Sequence, residues 1–160
     1  MKFEDKMISL LKYKLESHQP QEELYLQLFA IHYMRDFLDQ SSRSLISLSH
    51  LLAGRINIRL GNFREALIDI KRSKCTSVDE EYLKETEKEF KEQLLFFLLE
   101  PSFIFKESHL DFIAKNLIEL KLEDKVIFSG LSRAMLRLGN LTKSLKLREM
   151  SGTLRLYNYE

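Results

Sequence analysis

The chain has 160 residues, of which 44% are hydrophobic and 31% are charged, and this balance excludes a chain that is disordered throughout. Five Gly and two Pro are too few for a turn-rich β-sandwich or barrel, and the single Cys75 excludes an intramolecular disulfide. The net charge of +1 is unevenly distributed, because residues 43–74 hold 7 basic and 2 acidic side chains, residues 79–124 hold 6 and 13, and residues 125–160 hold 7 and 2.

Apolar residues recur at spacings of three and four along most of the chain, which predicts amphipathic helices and no compelling strand. Pro20 and Pro101 mark helix boundaries, and Ser41, Ser77 and Asp124 are candidate N-caps. The predicted helices span about residues 2–17, 20–38, 43–60, 63–74, 79–99, 109–121, 125–138 and 141–150. An all-α fold of about eight helices therefore accounts for most of the chain.

One segment occurs twice at an offset of 78 residues, and the two copies read Arg55-x3-Arg59-Leu60-Gly61-Asn62-Phe63 and Arg133-x3-Arg137-Leu138-Gly139-Asn140-Leu141. In each copy a glycine suited to the left-handed conformation ends one helix, and an asparagine suited to an N-cap begins the next. A joint of two residues predicts that the two helices are antiparallel neighbours. Each copy is therefore predicted to be a helical hairpin.

Small residues around these joints complete a pattern that resembles the tetratricopeptide repeat, a helix-turn-helix unit of 34 residues. Gly54 and Ala66 hold the positions where the two helices of such a unit cross closely, and Ser132 and Ser144 hold them in the second copy. His50 and Asn57 depart from the pattern, since large apolar residues are usual there. The resemblance covers about residues 47–74 and 125–151.

The resemblance implies a right-handed α-solenoid of stacked antiparallel helical hairpins, and another fold of α-hairpins stays open. We expect a single domain over residues 1–160. Its predicted parts are a helix pair at 1–42, a repeat-like unit at 43–76, an irregular helix pair at 77–122, a second repeat-like unit at 123–151 and a tail at 152–160.

The candidate ligand-binding residues are Arg55, Arg59, Arg133 and Arg137, which lie four apart within each copy and so share a helix face. The first helix of each tetratricopeptide unit lines a groove, and this implies a site for an acidic peptide or a carboxylate terminus, held by forked arginine hydrogen bonds. The alternative is that these arginines are a solvated helix face or pair with the acidic fifth helix. The favoured function is therefore a protein–protein interaction module, acting as an adaptor or in a chaperone-like way.

Other classes of function find less support. Basic residues at 43–74 and 125–160 allow a nucleic-acid or regulatory binding domain as the alternative, but nucleic acid is disfavoured because the whole chain is nearly neutral and has no recognition motif. No phosphate loop or nucleophile elbow is present, and His18, His32, His50 and His109 have no metal-ligand spacing. We therefore expect no enzyme, no metal and no cofactor, and an enzyme without a readable motif stays as the second alternative.

The sequence also predicts the environment of the protein. The most apolar stretch, residues 94–105, is interrupted by Glu100 and Pro101 and is too short to span a membrane, so it is expected to be buried core. We predict a cytoplasmic protein without a membrane span and leave homo-oligomer formation open.

Overall fold

A computed structural model of the chain describes residues 3–38, 43–74 and 79–152. The described residues form eight α-helices and no strand, which confirms the predicted all-α class with about eight helices. The helices are α1 (Phe3–Lys14), α2 (Gln21–Arg35), α3 (Arg43–Arg59), α4 (Phe63–Lys74), α5 (Glu80–Leu99), α6 (Glu107–Glu119), α7 (Lys125–Arg137) and α8 (Leu141–Met150). The predicted caps at Ser41 and Ser77, the lone Cys75 and the tail after residue 152 lie outside the described residues.

Contacts divide the chain into two compact units, Met1–Phe90 (unit 1) and Lys91–Glu160 (unit 2). Helix α5 contributes its first half to unit 1 and its second half to unit 2. In unit 1, α3 packs against α4, and both α1 and α2 contact α3. In unit 2, α7 packs against α8 and contacts α6. The two repeated segments are thus the α3–α4 hairpin of unit 1 and the α7–α8 hairpin of unit 2.

Both hairpins turn at their predicted glycines. Gly61 has a φ of 79° and Gly139 a φ of 80°, values in the left-handed region that a residue without a Cβ adopts at little cost. After the second turn, the Asn140 side chain accepts a hydrogen bond from the Lys143 backbone amide and caps α8. After the first, the Asn62 side chain donates instead to Asn57 in α3. The turns are alike in backbone, and their asparagines bond differently.

Small residues let the two helices of each hairpin approach closely. A Cβ added to Gly54 in α3 would lie 3.4 Å from the Cβ of Asp69 and 3.6 Å from the carbonyl oxygen of Ala66 in α4. In the second hairpin, the Ser132 hydroxyl donates to the Ser144 carbonyl over 2.8 Å, and the Ser144 hydroxyl donates to the Ser132 carbonyl over 2.9 Å. The first crossing is therefore close because Gly54 has no side chain. The second is close because two small serines exchange a reciprocal pair of buried hydrogen bonds.

Helix α6 begins earlier than the sequence indicates. The predicted start follows Ser108, but the helix starts at Glu107, and Lys106 stands at the N-cap position without a side-chain cap bond. The Lys106 carbonyl already accepts hydrogen bonds from the His109 and Leu110 amides, which places Ser108 inside the first turn. The predicted cap at Asp124 does form, since its carboxylate accepts from the Val126 amide over 2.8 Å.

Substitutions at Gly54 test the close crossing of α3 and α4. Gly54→Ala should keep the free energy of unfolding within about 1 kcal/mol of the parent, because the added methyl meets ordinary contact distances and helix propensity improves. Gly54→Leu should lower that free energy by about 1–3 kcal/mol, because the longer side chain must displace α4. Urea unfolding followed by circular dichroism measures both, and equal stability of the two variants would contradict the crossing.

Candidate functional site

Arg55 and Arg59 of unit 1 converge on one carboxylate. Arg55 Nε donates to Oε2 of Glu89 over 2.8 Å, and Arg59 Nε donates to Oε1 of the same carboxylate over 3.0 Å. All three side chains are largely buried, with 15% to 21% of their surface exposed. Both arginines therefore pair with the acidic fifth helix, and an anionic ligand would have to compete with Glu89 for them.

Arg59 also holds the end of α1. Its remaining guanidinium nitrogens donate to the backbone carbonyls of Leu15 and Ser17, which follow the last turn of that helix. Helix C-termini leave carbonyls without intrahelical partners, and a cation is favoured there by the helix dipole. Arg59 thus links α1, α3 and α5 within unit 1.

Arg55 lies against the ring of Tyr82. The guanidinium carbon is 4.9 Å from the ring centroid, and Lys12 Nζ lies 4.7 Å from the same centroid. Burial lowers the pKa of Arg55, but the adjacent Tyr82 phenol and the Glu89 carboxylate outweigh it and raise that pKa above its ordinary value. Burial raises the pKa of Tyr82, and its Oη makes no well-formed hydrogen bond with the described residues although Arg55 lies beside it.

A cleft of about 450 Å³ opens beside Arg55 and Tyr82. Its wall also contains Lys12, Glu16, Asp79, Glu81 and Glu85. Carboxylates outnumber cations in this wall, so the cleft disfavours the acidic ligand that the sequence predicts for Arg55. Asp79 is moreover engaged as the cap of α5, because its carboxylate accepts from the amides of Glu81 and Tyr82.

His50 and Asn57, the two residues that depart from the repeat pattern, lie beside a buried carboxylate. Asp69 is only 4% exposed, at the point where α4 crosses α3. Asn57 Nδ2 donates to its Oδ2 over 3.0 Å, and Nδ1 of His50 lies 3.9 Å from Oδ1. An isolated buried carboxylate is costly, so polar neighbours replace the usual apolar ones at these two positions.

Many of the basic residues that suggested a nucleic-acid surface are neutralised by nearby acids. Of the 7 basic side chains at 43–74, Arg64 pairs with Glu65 and Lys74 with Glu87, in addition to the two arginines on Glu89. In unit 2, Lys143 bridges Glu107 and Asp111 at 2.8 and 2.7 Å. These pairs reduce the positive field that a phosphate backbone would require.

Arg133 and Arg137 of unit 2 are both exposed and lie one turn apart on α7. Arg137 Nη1 donates to the backbone carbonyl of Leu98 in the last turn of α5 over 3.0 Å. Arg133 makes no hydrogen bond or ion pair with the part of the chain that the structure describes. Unlike Arg55 and Arg59, this pair has no carboxylate bound to it within those residues.

Arg137 borders an apolar cleft of about 330 Å³ in unit 2. The other lining residues are Pro101, Phe103, Ile104, Phe105, Ala134 and Leu138. The Phe103 ring contacts those of Phe97 and Phe105, with centroid separations of 4.7 and 4.8 Å, so packed aromatic rings form one wall. The cleft combines an apolar interior with a cationic rim.

The expectation that residues 94–105 are buried core holds for only part of the stretch. Leu94 and Leu98 are fully buried, whereas Phe96 is 62% and Ile104 80% exposed. Pro101 ends α5, so the following residues form a turn and a short extended segment that presents Ile104 at the surface beside the cleft. Pro101 was the available signal for Ile104, since the chain leaves the helix before it, whereas nothing local marks Phe96 as exposed within α5.

Comparison of the chain with protein-family models, with curated proteins and with solved structures finds no match. Within residues 3–38, 43–74 and 79–152, no group of three His, Cys, Asp or Glu side chains could hold a metal ion. None of the helices in those ranges is long and apolar enough to cross a bilayer. The two clefts and the charges around them are therefore the candidate sites of function.

Removal of Asn57 tests the buried acid. Asn57→Ala should lower the free energy of unfolding by about 1–3 kcal/mol, because Asp69 loses its hydrogen-bond donor while staying buried. The same substitution in an Asp69→Ala background should cost distinctly less, because no carboxylate is left to satisfy. Equal costs in both backgrounds, measured by urea unfolding, would show that Asn57 acts through packing alone.

Removal of Glu89 tests the shared carboxylate. Glu89→Ala should lower the free energy of unfolding by about 1–3 kcal/mol, because it leaves two partly buried guanidinium groups without their counter-ion. Glu85→Ala on the same helix is the control, since Glu85 is exposed and its loss should cost less than about 0.5 kcal/mol. A Glu89 variant as stable as the control would contradict this role.

Proposed function

We propose that the chain is a protein-interaction module that binds a peptide segment of a partner at the apolar cleft of unit 2. An apolar side chain of the peptide occupies the space between Phe103, Ile104 and Leu138. A carboxylate of the same peptide binds Arg133 and Arg137. The observation that carries the proposal is an exposed arginine on the rim of an apolar cleft, with a second exposed arginine one turn away.

The chemistry of the cleft supports a peptide with both an apolar and an acidic residue. Arginine presents a planar fork of N–H donors, and only one of its nitrogens in Arg137 donates to the Leu98 carbonyl. Its other donors make no hydrogen bond with the described part of the chain, and they can form charge-assisted hydrogen bonds, which are about twice as strong as neutral ones. The apolar wall adds affinity through burial, and the Arg pair adds selectivity for the negative charge.

The proposal keeps the acidic peptide expected from the sequence and concentrates its site in unit 2. Arg55 and Arg59 are occupied by Glu89, and the cleft beside Arg55 is rich in carboxylates. We therefore assign those two arginines to the stability of unit 1. Binding a peptide in this cleft requires no catalytic group, so we propose binding alone as the activity.

Selection from a random peptide library on the full chain tests this function. Selected peptides should share an apolar residue close to Asp or Glu. Arg133→Glu with Arg137→Glu should weaken their binding by about 10- to 100-fold, because attraction to the peptide carboxylate becomes repulsion. Ala134→Trp should weaken it similarly by filling the cleft.

The matched control is Lys146→Glu, which reverses an exposed charge of α8 and should leave peptide affinity unchanged. Circular dichroism checks that each variant keeps its helices. Peptides without an acidic residue, or affinity insensitive to both the charge reversal and the tryptophan, would refute the site. Binding of nucleic acid that weakens steeply with salt would favour the alternative function instead.

A further inference from the structure

Helix α2 is apolar on two opposite sides. One side buries Leu24, Ile31 and Met34. The other side carries Tyr25, Leu26, Phe29, Tyr33 and, just beyond the helix end, Phe37, each between 50% and 72% exposed. The four aromatic residues recur every four positions, so at about 100° per residue they form one inclined stripe. A surface helix of a globular protein normally has a single apolar stripe, and no residue within 3–38, 43–74 and 79–152 covers the second one.

Helix α1 likewise has an exposed apolar face in addition to its buried one. Phe3, Leu10 and Tyr13 are 45% to 71% exposed and share one side of the helix, while Ile8 and Leu11 are buried on the other side. Both α1 and α2 contact α3, and their exposed residues lie opposite their buried ones. The two exposed faces therefore point away from α3, and α1 and α2 also contact each other. We call the eight exposed residues of α1 and α2 the outer face.

The two halves of the outer face carry opposite charges. On α1, the exposed Lys6 and Lys14 lie among the apolar residues. On α2, the exposed charges are those of Glu22, Glu23 and Asp36. The outer face is thus basic along α1 and acidic along α2.

The two basic residues of α2 do not cancel its negative charge. Arg35 turns away from the outer face, since its Nε and Nη2 donate to the Ser49 hydroxyl and carbonyl. Burial, together with the Arg35 charge, holds the pKa of His32 below its ordinary value, which favours the neutral ring. The acidic half of the outer face therefore keeps its charge.

The exposed area is large enough for a stable association. Six aromatic side chains that are half to three-quarters exposed present roughly 700 Å² of mostly apolar surface. A standard protein interface buries about 800 Å² on each partner, whereas a typical monomer exposes apolar patches of about 300–600 Å². The outer face is therefore of the size that one partner contributes to a specific interface.

We propose that the outer face is a homodimer interface, in which α1 of one copy packs against α2 of a second copy and the reverse contact forms through a twofold axis. Such an isologous contact uses one surface twice, and the basic α1 then faces the acidic α2 of its partner at both places. A second copy fits this surface because the basic half of one copy is complementary in charge to the acidic half of the other. The acidic α2 disfavours an anionic membrane as the occupant.

The mass of the full chain in solution tests the proposal. Sedimentation equilibrium should give twice the 19.0 kDa of one chain. Phe29→Glu with Tyr33→Glu should raise the dimer dissociation constant by about 30-fold or more, because it places charge at the centre of the stripe. Phe96→Glu is the matched control, since Phe96 is a phenylalanine of unit 2 that is 62% exposed, and its replacement should leave the dissociation constant unchanged.

Charge reversal tests the α1-to-α2 arrangement without touching the core. The first variant, Lys6→Glu with Lys14→Glu, makes both halves acidic, and the second, Glu22→Lys with Asp36→Lys, makes both halves basic. Each variant alone should be monomeric, because like charges then meet at both contacts. An equimolar mixture should form a heterodimer, because opposite charges then meet at both contacts.

Several results would overturn the proposal. A parent chain that stays monomeric at all concentrations would do so, as would dimers that persist in the Phe29/Tyr33 variant. A native dimer in the first charge variant would exclude α1 from the interface. A monomer that sediments with anionic vesicles would assign the outer face to a membrane surface. Circular dichroism of every variant checks that loss of the dimer is not loss of the fold.

Discussion

Close approach of two helices at small residues is the constraint on which both hairpins depend. In the α3–α4 hairpin, Gly54 leaves room for the backbone of Ala66 and the Cβ of Asp69. In the α7–α8 hairpin, Ser132 and Ser144 exchange hydrogen bonds across the crossing. Residues elsewhere in the hairpins follow from this proximity, because side chains beside a close crossing must be small or must find polar partners in the interior.

The two copies also share the hydrogen bonding of one arginine. Arg59 donates to the Leu15 and Ser17 carbonyls beyond the end of α1, and Arg137 donates to the Leu98 carbonyl at the end of α5. Each therefore ties the C-terminal end of another helix to its own hairpin. The other arginines have diverged, since Arg55 pairs with Glu89 while Arg133 is exposed. Among the residues that the structure describes, this divergence leaves the arginines of the second copy without a bound carboxylate, whereas Glu89 binds both arginines of the first.

The helices could be predicted closely from the sequence, because apolar spacing, prolines and the Gly-Asn joints are local signals. The bounds of α4 and the caps at Asp124 and Asn140 are examples. The sequence could not show which of the many acidic residues pairs with Arg55 and Arg59. Residue spacing shows which side chains share a helix face, but it does not show which helix packs against that face. The stripe at Tyr25, Phe29, Tyr33 and Phe37 is visible as a four-residue period, yet the opposite side of α2 is equally apolar. Which side is buried depends on tertiary packing.

The buried Asp69 has a consequence for how the sequence can vary. Its carboxylate is tolerated because Asn57 and His50 face it, and these two have reason to be polar only while an acid occupies position 69. Replacing the whole set with apolar residues of similar volume can be neutral, whereas replacing one member leaves an unpaired polar group. Divergent copies of this hairpin should therefore change at these three positions together, and such joint changes would identify a distant relative even where the rest of the hairpin has lost its similarity.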